Sequence, residues 1–209
     1  MLQRIRSALA AGGPAPRAGM TEEDRRYQTQ ASLTREEQLN LFIHRVEDYD
    51  ARVFRSEAHR LAHDIAEVLL AAGRTKMVVP CGIPQGWMDP RIEWVIDGTS
   101  DQPLPYTELE TFAGVLTGAS VAVAESGTIV LQHGDHEGRR ALTLLPDYHL
   151  CVLQASQIVE TLPECFVRLE PGAARAITFI SGPSATADIE MTRIKGVHGP
   201  RFLDVMLLT

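Results

Sequence analysis

The chain has 209 residues, enough for one full hydrophobic core, and its 44% hydrophobic and 22% charged residues place it among ordinary globular proteins. A net charge of −7 argues against nucleic acid as a main partner, because a phosphate-binding face normally shows a basic excess. No apolar run reaches the roughly 18–20 residues that span a bilayer. The residues after Arg4 and Arg6 meet Gly12-Gly13-Pro14 too soon for a signal-peptide core, so a cytoplasmic chain without a membrane partner is expected.

Residues 1–32 read as a flexible N-terminal segment, with Leu2, Ile5 and Leu9 as one short helical stripe ahead of a Gly/Pro/Ala linker. A single domain over 33–209 follows. Thr34-Arg35-Glu36-Glu37 has the spacing of a capping box and predicts a helix to about Asp48. Ala58, Leu61, Ala62, Ile65, Val68, Leu69 and Ala72 recur at helical spacing, with Ser56 as the expected cap and Gly73 as the stop. Met77-Val78-Val79-Pro80 reads as a buried strand and Ile92–Ile96 as a second. Thr107-Glu108-Leu109-Glu110 again has capping-box spacing and predicts a brief helix. Ala119–Ala124 and Thr128–Leu131 are β-rich runs joined through Glu125-Ser126-Gly127. Ala141–Leu145 and Leu150–Leu153 read as further strands, and Ser156–Leu169 as a helix in which Pro163 starts a new turn. Ala176–Ile180 is rich in β-formers, and Phe202–Leu208 is the expected closing strand. Strands mixed with helices favour an α/β domain with a central, largely parallel sheet covered on both faces.

Several constellations bear on chemistry. In Ile180-Ser181-Gly182-Pro183-Ser184-Ala185-Thr186-Ala187-Asp188-Ile189-Glu190 a strand runs into a Gly-Pro turn, then into what reads as a helix start. Exposed N–H groups there can hold an anion. Equally, Ser184 or Thr186 can cap the helix while Asp188 and Glu190 offset its dipole. Gly196-Val197-His198-Gly199-Pro200 is a turn whose imidazole either faces the same crevice or bonds its own loop. Glu125-Ser126-Gly127-Thr128 is a hairpin turn, or else a strand end presenting Glu125 as a nucleophile or acid/base. Arg139 and Arg140 are a solvated surface pair, unless one of them clamps a carboxylate or phosphate.

Two histidine pairs, His59/His63 with Glu67 and His133/His136, have spacings compatible with a metal, but a solvated helix face and a loop without preorganisation are the simpler readings, and no metal is assigned. Cys81, Cys151 and Cys165 are odd in number and widely spaced. That argues against disulfides and iron–sulfur ligation and leaves each as a small apolar filler. G-x-G-x-x-G, G-x-x-x-x-G-K-[ST] and G-x-S-x-G are all missing from the sequence, so no nucleotide cofactor and no typical serine esterase are expected.

Four blocks, Ala124–Leu131, Arg139 to Leu145-Pro146 with His149, Gly182–Glu190 and Gly196–Pro200, closely resemble the LUD domain in content, order and spacing. The resemblance covers about residues 35–209, and the third and fourth blocks are its most specific parts. It implies the fold shared by sugar-phosphate isomerases and CoA transferases, a Rossmann-like three-layer α/β/α sandwich. It also implies a part in oxidising L-lactate to pyruvate beside iron–sulfur partner subunits, as a substrate-binding or assembly component. The implied ligand is a small carboxylate or phosphorylated molecule, held by Gly127, Thr128, Arg139, His149, Ser181, Gly182, Ser184, Thr186, Asp188 and His198. The alternative is an acyl- or CoA-transferase-like enzyme, because Glu125-Ser126-Gly127 is similar to the Glu-x-Gly loop that carries the catalytic glutamate in related transferases.

Overall fold

The computed structural model describes residues 31–98, 102–169, 176–187, 193–195 and 199–209. In chain order the elements are α1 (Arg35–Glu47), β1 (Arg52–Ser56), α2 (Leu61–Ala71), β2 (Lys76–Val79), β3 (Glu93–Ile96), α3 (Tyr106–Leu109), β4 (Gly114–Thr117), β5 (Val121–Val123) and β6 (Thr128–Leu131). There follow a 3-10 turn at Arg140–Thr143, β7 (Tyr148–Gln154), β8 (Ile158–Val159), α4 (Leu162–Arg168), β9 (Thr178–Ile180), β10 (Ala185–Ala187), β11 (Arg193–Lys195) and β12 (Phe202–Leu208).

Six strands form a central sheet in the order β1-β12-β7-β4-β2-β3, and every pairing in it is parallel. Parallel strands are usually buried on both faces, which explains continuous apolar runs such as Met77–Val79 and Leu150–Leu153. One face, carrying Leu150, Val152 and Met206, packs under Leu61, Ile65 and Leu69 of α2. The opposite face carries Cys151, Leu153, Val205 and Leu207, which meet Phe42 and Val46 of α1 and Ala122 and Ile129 of a second sheet. That second sheet has the order β8-β5-β6-β9, with β5 and β6 as an antiparallel hairpin. The result is the expected Rossmann-like α/β architecture, with a small sheet sharing one of the covering layers.

The α1 cap is as expected: Thr34 accepts from the Glu37 N–H and the Glu37 carboxylate accepts from the Thr34 N–H. Such a cap is worth about 1 kcal/mol. Just before it, the Ser32 and Leu33 N–H groups donate to Glu160, and the Ala31 N–H to Glu164. Residues 1–30, which include the proposed helical stripe, lie outside the described residues.

Several expectations are corrected. Ser56 does not cap a helix; it ends β1, and its hydroxyl donates to Asp64 in α2 at 2.8 Å. The mixed pattern Arg-Val-Phe-Arg-Ser hides an edge strand, and α2 starts only at Leu61. Gly73 does terminate it, at φ 67°. The helix at Tyr106–Leu109 is capped by Pro105 rather than Thr107, because the fixed proline φ sets up the first turn. Ala141–Leu145 is no strand: the 3-10 turn there drives Leu142 into the core with Val78 and Val115. Ser156–Leu169 is split, since Ile158–Val159 pairs with β5 before Thr161 caps α4 with Pro163 in its first turn. Ala185–Ala187 is a strand paired antiparallel with β11, so Ser184 and Thr186 do not open a helix, and among the described residues of this segment no helix N-terminus faces an anion. Cys151 and Cys165 are buried as expected, with burial raising both thiols, but Cys81 is exposed and fills nothing.

Candidate functional site

A crevice of about 150 Å³ opens at the amino ends of β7 and β12, lined by Arg140, His149, Thr178, Ser181, Ser184 and Leu203 among others. That is well below the roughly 300–1,000 Å³ of pockets for drug-sized molecules, so it suits a small ligand. Its floor is His149, the second residue of β7, whose ring is held on the sheet face by Thr117 of β4 with Oγ1 and Nε2 2.7 Å apart. His149 is only 1% exposed, and burial pushes its pKa down to about 4, so the ring is neutral at physiological pH. The other ring nitrogen, Nδ1, has no hydrogen-bond partner among the described residues, and the ring lines the crevice.

Among the described lining residues the cation is Arg140. Its Nη1 donates to Thr178 Oγ1 at 2.7 Å, and no carboxylate among the described residues pairs with it. Thr178 also lies 2.7 Å from His133 Nε2, while His133 Nδ1 is 2.8 Å from the Gly138 carbonyl. A carbonyl only accepts, so Nδ1 carries a proton. In the neutral ring Nε2 then accepts from Thr178, whose oxygen stays available to Arg140. At the mouth, Ser126, Thr128 and Ser181 form a hydroxyl chain with spacings of 2.7 and 2.8 Å.

The two glycine turns beside this crevice have a packing reason. Gly127 sits at φ 59°, and a Cβ there would come within 2.8 Å of the Arg45 backbone. Gly182 sits at φ 84°, where a Cβ would meet Tyr49 at 2.4 Å. Both turns therefore close onto the end of α1, which fixes the mouth of the crevice.

The structure thus brings together His149, Ser181, Gly182 and Ser184, with Thr128 hydrogen-bonded at the edge. Arg139 lies elsewhere. Its guanidinium holds Asp97 through Nε at 2.8 Å and Nη2 at 3.0 Å, in a second crevice of about 550 Å³ beyond the carboxyl ends of β2 and β3. Asp97 is 4% exposed, and its hydrogen bonds raise the Arg139 pKa further. Arg139 is therefore not the solvated surface residue that its sequence context suggested. Glu125 is exposed on the β5–β6 turn; its N–H donates to the Glu160 carbonyl, and no side chain among the described residues holds its carboxylate. Thr186 lies in β10, whereas Asp188 and His198 fall outside the described residues.

Arg140, Thr178 and Thr117 were not singled out from sequence. The arginine pair was noted, but the ligand-holding role was given to Arg139 rather than Arg140; for the two threonines no local signal exists, because their partners are more than thirty residues away.

The histidine pairs also resolve. His59 precedes α2 and faces Glu57, whereas His63 and Glu67 share Arg91, so the first trio is not one helix face. His136 sits beside Trp87, with ring centroids 6.3 Å apart. No helix among the described residues is long and apolar enough to cross a membrane.

Comparison with known proteins supplies the remaining findings. A family model described as the LUD domain matches residues 106–208. A protein named Lactate utilization protein C from Deinococcus radiodurans is 40% identical over 210 residues, spanning 100% of this chain and 93% of that protein. A protein of the same name from Halalkalibacterium halodurans is 42% identical over 91 residues, or 41% of this chain and 39% of that one. The crystal structure of a DUF162 family protein from Deinococcus radiodurans superposes with a TM-score of 0.73 at 36% identity, covering 85% of this chain and 99% of that chain.

Proposed function

The chain belongs to the LUD domain family, and from that premise we propose that it serves lactate utilisation as a cytoplasmic, ligand-binding component with no redox group of its own. The observation that carries this reading is the likeness to a Lactate utilization protein C along the whole chain, at 40% identity. On this reading electrons pass through iron–sulfur partner subunits, and this chain contributes the amino-end crevice, where a small anion is held by Arg140 over the neutral ring of His149. Scattered cysteines and the missing nucleotide loops support the division of labour, since neither an iron–sulfur cluster nor a dinucleotide has a sequence motif to hold it.

The test is genetic and biochemical. Deleting the gene abolishes growth on L-lactate but not on glucose, and the full chain restores it. The chain purified alone is colourless and oxidises no lactate, whereas adding it to its iron–sulfur partners raises lactate-dependent dye reduction. Growth on lactate that ignores the deletion overturns the assignment. Stoichiometric iron or flavin on the purified chain overturns the division of labour.

A further inference from the structure

We propose that the outer face of the second sheet, where α4 meets β9, is the docking surface for this chain's own N-terminal residues, with Leu2, Ile5 and Leu9 seated on Leu162, Phe166, Ile177 and Phe179. The proposal is independent of what the amino-end crevice binds.

The face is only half covered. α4 has seven residues, and Cys165 and the adjoining Leu169 pack on Val121, Val123, Val130 and Val159. Four strands about 4.8 Å apart make a face about 14 Å wide, whereas one helix with its side chains covers about 10 Å. The β9 side is what remains. There Phe179, opposite Val130, is 44% exposed and Ile177 is 42% exposed, and strand alternation turns both toward α4. On the helix Leu162 and Phe166 stand one turn apart; Phe166 is 56% exposed, with its ring centroid 6.1 Å from that of Phe179. Val167 beside them is exposed too. Single exposed apolar side chains are ordinary, but a contiguous group of five marks a surface that something covers.

The point where the chain enters the described structure identifies the occupant. Ala31 is its first residue, and its N–H donates to Glu164 Oε1 at 3.0 Å in the first turn of α4, while the Ser32 and Leu33 N–H groups donate to Glu160. The thirty residues before it therefore start at the edge of the patch. The stripe from Leu2 to Leu9 is about 10 Å long at helical rise, close to the length of α4. A chain as long as that between Leu9 and Ala31 spans about 25 Å on average, so the stripe reaches the patch at an effective concentration on the order of millimolar, which a separate copy does not match in dilute solution. Charge agrees. The first twenty residues carry Arg4, Arg6 and Arg17 and no acidic residue, against −7 for the whole chain. Glu125 is exposed near the start of α4, its N–H on the Glu160 carbonyl and no side chain among the described residues on its carboxylate. The other face of β9 supplies Thr178 to Arg140, so a segment seated here backs the wall of the crevice.

Paramagnetic NMR on the full chain tests this. A spin label is attached at Ser7→Cys, opposite the stripe at helical spacing, in a Cys81→Ser background, because Cys81 is exposed whereas Cys151 and Cys165 are buried. The label broadens the methyl signals of Leu162, Val167 and Ile177 and spares those of Leu70 and Ile96, which are exposed on other elements. Ile5→Asp and Phe166→Asp each abolish the broadening; residue 5 precedes the described fold and Phe166 is more than half exposed, so neither substitution threatens folding. Amides of residues 2–9 exchange at least about tenfold more slowly in the wild type than in Phe166→Asp, as about 90% docking requires. A mixture of spin-labelled chain with separately isotope-labelled chain shows no broadening. Broadening in that mixture assigns the face to a second copy and overturns docking within one chain. If no sample shows broadening, or broadening survives both aspartate variants, the N-terminal residues do not occupy this face and the proposal falls.

Discussion

Arg139 and Arg140 are adjacent in sequence and face two crevices of opposite character. The larger crevice, about 550 Å³, lies beyond the carboxyl ends of β2 and β3, where open α/β sheets ordinarily bind ligands. Its principal charges are already spent on the protein. Arg139 holds Asp97, both nitrogens of His133 are engaged, and the nearby buried Glu137 accepts from Ser120 and from the Gln132 and Gly134 N–H groups. The smaller crevice at the amino ends keeps capacity in reserve, on Arg140 and on His149 Nδ1. The two crevices therefore differ in hydrogen-bonding capacity as well as in size and in the strand ends they border.

Four measurements break or sharpen that contrast. The largest effect is expected from Arg139→Ala, which leaves Asp97 buried without its counter-ion and should cost about 3–5 kcal/mol in urea unfolding. A loss below about 1 kcal/mol would mean that this pair is free to serve a ligand after all.

Next is the pH dependence set by His149. Its folded pKa, near 4, lies below the ordinary 6.5, so the unfolded chain binds the extra proton first as pH falls. Stability is therefore lost between pH 6.5 and 4, by about 3 kcal/mol for this one group, and is unaffected by it above pH 6.5. His149→Gln should flatten that part of the profile relative to the wild type. Identical slopes for the two proteins would show that the ring is not held neutral.

Thr178→Val removes the hydroxyl on which the two crevices meet and leaves His133 Nε2 without its donor, at about 1–2 kcal/mol. Arg140→Gln is the smallest in stability, within about 0.5 kcal/mol, since the side chain is exposed and has one neutral partner. A clear destabilisation by Arg140→Gln would mark it as a second structural arginine and erase the distinction.

The sequence exposed most of the scaffold because its inner strands, β2, β4, β5, β6 and β7, are almost wholly buried and its helices amphipathic. The α1 capping box, the stop at Gly73 and the Thr128–Leu131 hairpin strand each follow from neighbours within a few residues. What escaped was tertiary. The run at Ala141–Leu145 is apolar enough for a strand, and only its position over Val78 and Val115 makes it a 3-10 turn. The strand at Ala185–Ala187 was read as a helix start because its hydroxyls mimic caps, whereas its partner Arg193–Lys195 decides otherwise. At the site, Gly182 and His149 were legible as motif residues. The choice between Arg139 and Arg140 was not, since it turns on Asp97, forty-two residues away.

The pairing of β1 with β12 has a kinetic consequence. Arg52 and Asp204 meet across 152 residues of chain, and β12 then serves as the inner strand joining β1 to β7. Closing so long a loop yields no reward until β7 and β12 align, so the transition state must assemble sequence-distant segments, and folding belongs to the slow, high-contact-order regime. Until β12 docks, β7 presents a bare edge of Leu150, Cys151 and Val152, and the Tyr148 hydroxyl lacks its Asp204 acceptor. That interval is when the chain is most exposed to edge-to-edge aggregation, so refolding yield should fall with protein concentration even where the native state is stable.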